Sequence, residues 1–141
     1  MPNINKPPGL LRRLAVVCYD LLLLIAILFL ATLILLPFQE GHEFQPKSWQ
    51  YSIYLLTVSF CFYAWFWTKN GQTLGLLAWK LRVANEDGSN ISWQQALIRF
   101  ITAVFSWGLC GLGVLWILVN QDRLAWHDMA SNSRVLWKET D

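Results

Sequence analysis

Four charged residues in this sequence are placed to do chemistry: Arg13, Asp20, Arg99 and Asp128. Asp20 lies inside an apolar run, residues 14–37, that otherwise offers nothing more polar than Cys18, Tyr19 and Thr32. A lone carboxylate at the centre of a bilayer costs roughly 2.5 to 3.5 kcal/mol on insertion scales, so it is expected to face protein rather than lipid. Its nearest candidate partner is Arg13. Seven residues at about 100° each bring Arg13 and Asp20 to within about 20° of one helix face, about 10 Å apart along the axis. A snorkelling guanidinium could reach toward the carboxylate, or a third group could sit between them. Arg99, near the start of a later apolar segment, and Asp128, in the tail, could converge with Arg13 at the inner membrane boundary. The chemistry such a set permits is a carboxylate, Asp20, exchanging a proton for a small cation. The competing reading is a buried polar clamp, in which Arg13, Asp20 and Asp128 fix helix packing and nothing is transported.

The elements that position these residues follow from hydropathy and punctuation. At about 1.5 Å per residue, residues 14–37 are long enough to cross a hydrocarbon core of about 30 Å. Arg12 and Arg13 at the entrance place the N-terminus in the cytoplasm by the positive-inside rule. A second span is expected over residues 48–67, with Trp49 and Tyr51 at one interface and Trp65 and Trp67 at the other. In residues 72–82, Leu74, Leu77, Ala78 and Leu81 recur at i, i+3, i+4 and i+7, the pattern of an interfacial amphipathic helix. Asp87-Gly88 marks a tight turn, with a small hairpin about it, and Ser92 with Gln95 forms a capping box for the next helix. That third segment, residues 96–120, is either one crossing or a re-entrant hairpin broken at Gly108, Gly111 and Gly113. Arg123, Arg134 and Lys138 favour the hairpin, which keeps both ends cytoplasmic. Residues 122–128 read as a short interfacial helix and 134–137 as a strand. The expected fold class is an all-α integral membrane protein: two transmembrane helices, an amphipathic interfacial helix, and a third apolar helical segment that spans or re-enters. Residues 1–13 form a cytoplasmic tail, 14–137 a single membrane domain, and 138–141 a C-terminal tail.

Composition bounds the function. The chain of 141 residues is 55% hydrophobic and 14% charged, too apolar for an ordinary soluble domain, and the lipid bilayer is its first partner. With a net charge of +2 and no run of like charges, it resembles neither a nucleic-acid arm nor a polybasic lipid patch, and no nucleic-acid partner is expected. Cys18, Cys61 and Cys110 have no metal-ligand spacing and read as small buried hydrophobes. Glu40, His42 and Glu43 read as a polar outer loop rather than a metal site, and no cofactor is expected. Residues 14–37 exceed the apolar core of a signal peptide and are read as an uncleaved span. Ser131, Ser133 and His127 lie close in sequence, but no oriented nucleophile and base is evident, so the chain is not read as an enzyme and His127 is read as an interfacial side chain.

The sequence resembles the RDD family, membrane proteins named for one Arg and two Asp. Residues 12–20 with Arg13 and Asp20, residues 71–75 through 81–83 with Gly88 and Ser92, and residues 122–130 with Asp128 carry the likeness. Two positions depart from the family pattern: Leu76 stands where a Lys is usual, with Lys80 one turn beyond, and Ser131 where a Gly is usual. The resemblance implies a transport-related membrane protein, with cation/proton exchange in some members, in a bacterial inner (plasma) membrane. The alternative is a non-transporting accessory or assembly subunit. Either way so small a chain is expected to work as a homo-oligomer or with another membrane protein.

Overall fold

A computed structural model describes residues 7–39 and 47–138. The order of elements is α1 (Leu10–Leu35) with a 3-10 turn at Leu36–Gln39, α2 (Trp49–Lys69), α3 (Leu74–Ala78), β1 (Leu81–Ala84), α4 (Trp93–Gly108), α5 (Leu112–Leu115) with a 3-10 turn at Trp116–Leu118, α6 (Trp126–Ala130) and β2 (Arg134–Trp137).

Nothing in residues 10–35 breaks a helix, and α1 runs unbroken until Pro37, whose ring is accommodated in the 3-10 turn. It begins at Leu10, ahead of the apolar run 14–37, so Arg12 and Arg13 stand in its first turn. Its buried positions are Arg13, Val16, Asp20 and Ala31, which puts Arg13 and Asp20 on one stripe as their spacing predicts. With its 3-10 extension, this 30-residue rod is the one helix among the described residues long and apolar enough to cross a membrane unbroken. α2 forms where the second span is expected and is capped by the Ser48 hydroxyl, but its Tyr, Ser, Thr and Trp residues leave it less apolar than α1. It is tied to α1 by a Tyr54 hydroxyl that donates to the Ala31 carbonyl at 2.9 Å and by a Tyr51–Thr32 hydroxyl pair at 2.8 Å. On the other side, Phe60 meets Phe100 and Trp93 of α4 edge to face.

The third apolar segment is one bent element. α4 opens with the expected capping box of Ser92 and Gln95, then stops at Gly108, and the chain turns by 102° into α5. Left-handed φ values at Cys110 (59°) and Gly111 (76°) make the corner. Gly113 lets α5 fold back, because a side chain there would strike Ser106 and Trp126.

Two features depart from an all-α chain. The helix expected over residues 72–82 ends at Ala78; Lys80 takes φ of 55°, and Leu81–Ala84 become a strand instead. The Asp-Gly turn forms, with the Asn85 N–H donating to the Ser89 carbonyl at 2.9 Å. No hairpin follows it. β1 pairs antiparallel with β2, in register Leu81↔Trp137 and Ala84↔Arg134. Tertiary pairing overrides the helical period because Leu81 and Val83, which the pattern reads as a helix face and its continuation, belong to the core, packed with Ala64, Ile91, Ala96 and Val135, and Ala84 beside them is also buried. The three cysteines are also not buried: Cys18, Cys61 and Cys110 are free and exposed on the apolar outer faces.

α3 is pressed onto α1 at Gly75, where a Cβ would stand 2.7 Å from both the Asp20 Oδ1 and the Val16 carbonyl oxygen. Gly75→Ala is therefore expected to push α3 off α1 and to lower stability by about 1 to 3 kcal/mol, the usual range for overpacking. Unfolding in mixed micelles reads this; a variant as stable as the wild type would show that the two elements are not in contact.

Candidate functional site

The short helix α6 carries Asp128 in its first turn, where the carboxylate Oδ2 accepts the Ala125 N–H at 3.1 Å and so holds the helix start. The same carboxylate is gripped from two sides. Arg13 of α1 donates from Nη1 to Oδ2 at 2.5 Å, and Arg99 of α4 donates from Nη1 to Oδ1 at 2.5 Å. Arg13 uses its Nη2 on the Arg123 carbonyl at 3.0 Å, Arg99 also reaches the Ser133 hydroxyl at 3.1 Å, and the Trp67 ring lies under the Arg99 guanidinium at 5.3 Å. All three are shut away from solvent: Arg13 is 7% exposed, Arg99 3% and Asp128 0%. An ion triad so enclosed is strongly coupled, and removing one member strands the others.

Asp20 does not join it. The carboxylate accepts the Thr73 hydroxyl at 2.5 Å and the Gly75 N–H at 2.8 Å, both from the start of α3. Among the described residues Asp20 has no cationic partner within ion-pair distance. Of the four residues singled out from the sequence, three thus form one cluster, while Asp20, on the same stripe of α1, faces a different element. Its separation from Arg13 has a simple cause: the guanidinium at the helix entrance is drawn to Asp128 across the bundle, and the hydroxyl and N–H of α3 satisfy Asp20 where it stands.

Between the two sites lies a cavity of about 380 Å³ whose polar wall includes Arg13, Asp20, Arg99 and His127 and whose apolar wall includes Phe100 and Trp107. His127 is not the interfacial side chain expected. It is turned inward, 15% exposed, with Nε2 3.7 Å from Asp128 Oδ1 and Nδ1 buried without a partner. Burial and the adjacent Arg99 charge push its pKa down to about 3, so the ring is neutral at physiological pH. Burial alone would raise the Asp128 carboxyl, but the charges of Arg99 and Arg13, with the Arg13 hydrogen bond, outweigh it and hold the group ionised, below the usual carboxylate range.

Thr73, Gly75, Ser133 and His127 are parts of the site that residue spacing does not single out. Thr73 and Gly75 fall within the second stretch of the family likeness, but nothing in their type says that they face Asp20. Leu76, at the departure from the family pattern, is buried in the core, and Lys80 is exposed in the turn after α3. Among the described residues no group of three His, Cys, Asp or Glu is placed to hold a metal ion; Glu40, His42 and Glu43 lie outside those residues.

The described residues thus hold buried Arg/Asp pairs that clamp a helical bundle, and one long apolar helix near the N-terminus. The RDD family model matches residues 7–132, nearly the whole chain, and the chain belongs to the RDD family. No curated protein and no solved structure matches it.

Because His127 is held neutral in the fold but has an ordinary pKa of 6.5 when released, the unfolded chain binds a proton that the folded one refuses. Its stabilising effect is complete above pH 6.5 and is lost as pH falls from there toward 3. The protein in micelles is expected to be about 2 kcal/mol less stable at pH 5 than at pH 7, and His127→Gln to flatten the dependence over that window. Asp128 adds its own loss only at still lower pH. Equal slopes in wild type and variant would place His127 outside the protected interior.

Proposed function

We propose that this chain is a transport-related membrane protein in which Asp20 binds and releases a proton or small cation, and in which the Arg13–Asp128–Arg99 triad is the frame and not the carrier. The observation that carries this reading is the placement of Asp20: 3% exposed, held by a hydroxyl and an N–H, bordering a cavity, and with no cation within ion-pair distance among the described residues. A buried ionisable residue in a membrane protein is by default a candidate for an ion or proton pathway. Asp128, by contrast, has both oxygens committed to guanidiniums and is poorly suited to exchange. The chain is not read as an enzyme. Ser131 and Ser133 spend their hydroxyls on each other, on the His127 carbonyl and on Arg99, and among the described residues no base is bonded to either oxygen.

In the topology that goes with this reading, α1 and α2 are the two spans of a bacterial inner (plasma) membrane, α4 and α5 re-enter, and both termini lie in the cytoplasm. The Arg13–Asp128 contact favours it, because residues 13 and 128 must lie on one side, and the 102° corner favours a hairpin over a straight third crossing. Two spans and a hairpin enclose too little for a path of their own, so the working unit is a homo-oligomer or a complex with another membrane protein. A second reading, an accessory subunit that transports nothing, draws on the triad itself, which alone explains why Arg13 and Asp128 are present.

Topology is tested by single cysteines in a chain whose native cysteines have been replaced. Positions 87 and 138 are expected to label only after the membrane is permeabilised, and position 42 in intact cells; labelling of position 138 from outside would remove the re-entrant hairpin.

Function is tested with Asp20→Asn. The Thr73 hydroxyl can turn to accept from the new amide while Gly75 still donates, so the fold is expected to persist at normal membrane abundance. Vesicles containing only the wild-type protein should show sodium- or proton-coupled flux, and the variant should lose at least nine tenths of it. No flux from the wild type, with a stoichiometric membrane partner recovered on purification, would favour the accessory reading.

A further inference from the structure

Thr73, whose hydroxyl holds Asp20, also borders a second depression of about 630 Å³. Three cations line it: Lys69 from the end of α2, Arg82 from β1 and Lys138 just after β2. Among the described residues each is met only by neutral groups. The Lys138 Nζ donates to the Gln72 Oε1 at 3.2 Å; the Arg82 Nη2 donates to the Gly88 carbonyl at 2.9 Å and the Asn90 Oδ1 at 3.1 Å; the Lys69 Nζ lies 5.3 Å from the centre of the Trp65 ring. The Arg82 Nε is buried without a partner. Among the described residues no carboxylate lines the depression: Glu86 is paired with Arg134, and Asp87 accepts from Ser89. Three positive charges gathered with no counter-charge among the described residues create a potential that an anion relieves. The sequence hides this group, because its members are spread over residues 69 to 138 and no run of like charge announces them.

The surroundings say which anion. The rim includes Leu74 and Leu77 of α3, apolar and 41% and 51% exposed, so the depression passes directly from charge to hydrocarbon. Nearby on α1, the Arg12 guanidinium lies 4.6 Å from the centre of the Trp137 ring and 6.0 Å from that of Trp79, the rings that flank α3 and β2. Indoles and arginines so mixed are what the headgroup level of a bilayer selects. We propose that this depression binds the phosphate headgroup of an anionic phospholipid, with Lys69, Arg82 and Lys138 on the phosphate and Leu74 and Leu77 against the first part of an acyl chain. The site is independent of whether Asp20 carries an ion.

The test is native mass spectrometry of the full chain released from micelles doped with equal amounts of phosphatidylglycerol and phosphatidylcholine. The wild type should retain one phosphatidylglycerol in preference to phosphatidylcholine, and Lys69→Gln and Lys138→Gln, both at exposed positions, should each lower that preference about fivefold. Lys47→Gln, at the opposite end of α2, should leave it unchanged. Equal retention of the two lipids by the wild type would overturn the proposal, as would an equal effect of Lys47→Gln. Displacement of the lipid by glycerol 3-phosphate would also overturn it, by making a soluble phosphate the ligand.

Discussion

The fold of this chain depends on one carboxylate. Asp128 lies on a helix of five residues, too short to be stable alone, and it is bound at once by its own helix start, by the first long helix and by the bent third segment. Two guanidiniums on one carboxylate leave a net positive charge in a buried interior, offset in part by the Arg123 carbonyl, the Ser133 hydroxyl and the Trp67 ring, while the Nε of each arginine is buried without a partner. The contact draws residue 128 back beside residue 13, 115 positions away in the chain. Once that pairing is made, β2 follows α6 closely enough to find β1, and the small sheet closes the same end of the molecule.

With Arg13 committed to Asp128, the contacts of Arg13, Asp20 and Asp128 separate into two sets. The Arg and the second Asp hold helices together; the first Asp, seven residues on along the same stripe of α1, holds only the start of α3. Both kinds of contact are made possible by small side chains. Gly75 lets the backbone of α3 come within reach of Asp20, and Gly113 lets α5 fold back against α4 near the triad.

Much of this was legible in the residues. The length and hydropathy of residues 14–37, the shared face of Arg13 and Asp20, the Ser92 capping box and the break at Gly108 to Gly113 follow from local chemistry, and the structure has each of them. The partners of those residues were not legible, because pairing is a long-range matter. Helical spacing put Asp20 with Arg13, yet each charge is better satisfied by an element more than 50 residues away. The strand at Leu81–Ala84 was missed for a related reason: four residues of mixed period look helical until Arg134–Trp137 are alongside. The inward turn of His127 had no signal beyond its place next to Asp128.

The division between frame and carrier is tested most directly by two double-mutant cycles measured by unfolding in mixed micelles, one pairing Arg13→Gln with Asp128→Asn and the other pairing Arg13→Gln with Asp20→Asn. Groups in direct contact couple by about 0.5 to 3 kcal/mol, and independent ones add within about 0.5 kcal/mol. The geometry predicts a coupling toward the upper end of that range for Arg13 with Asp128 and none beyond about 0.5 kcal/mol for Arg13 with Asp20. A coupling to Asp20 as large as that to Asp128 would contradict it, and would return Asp20 to the clamp.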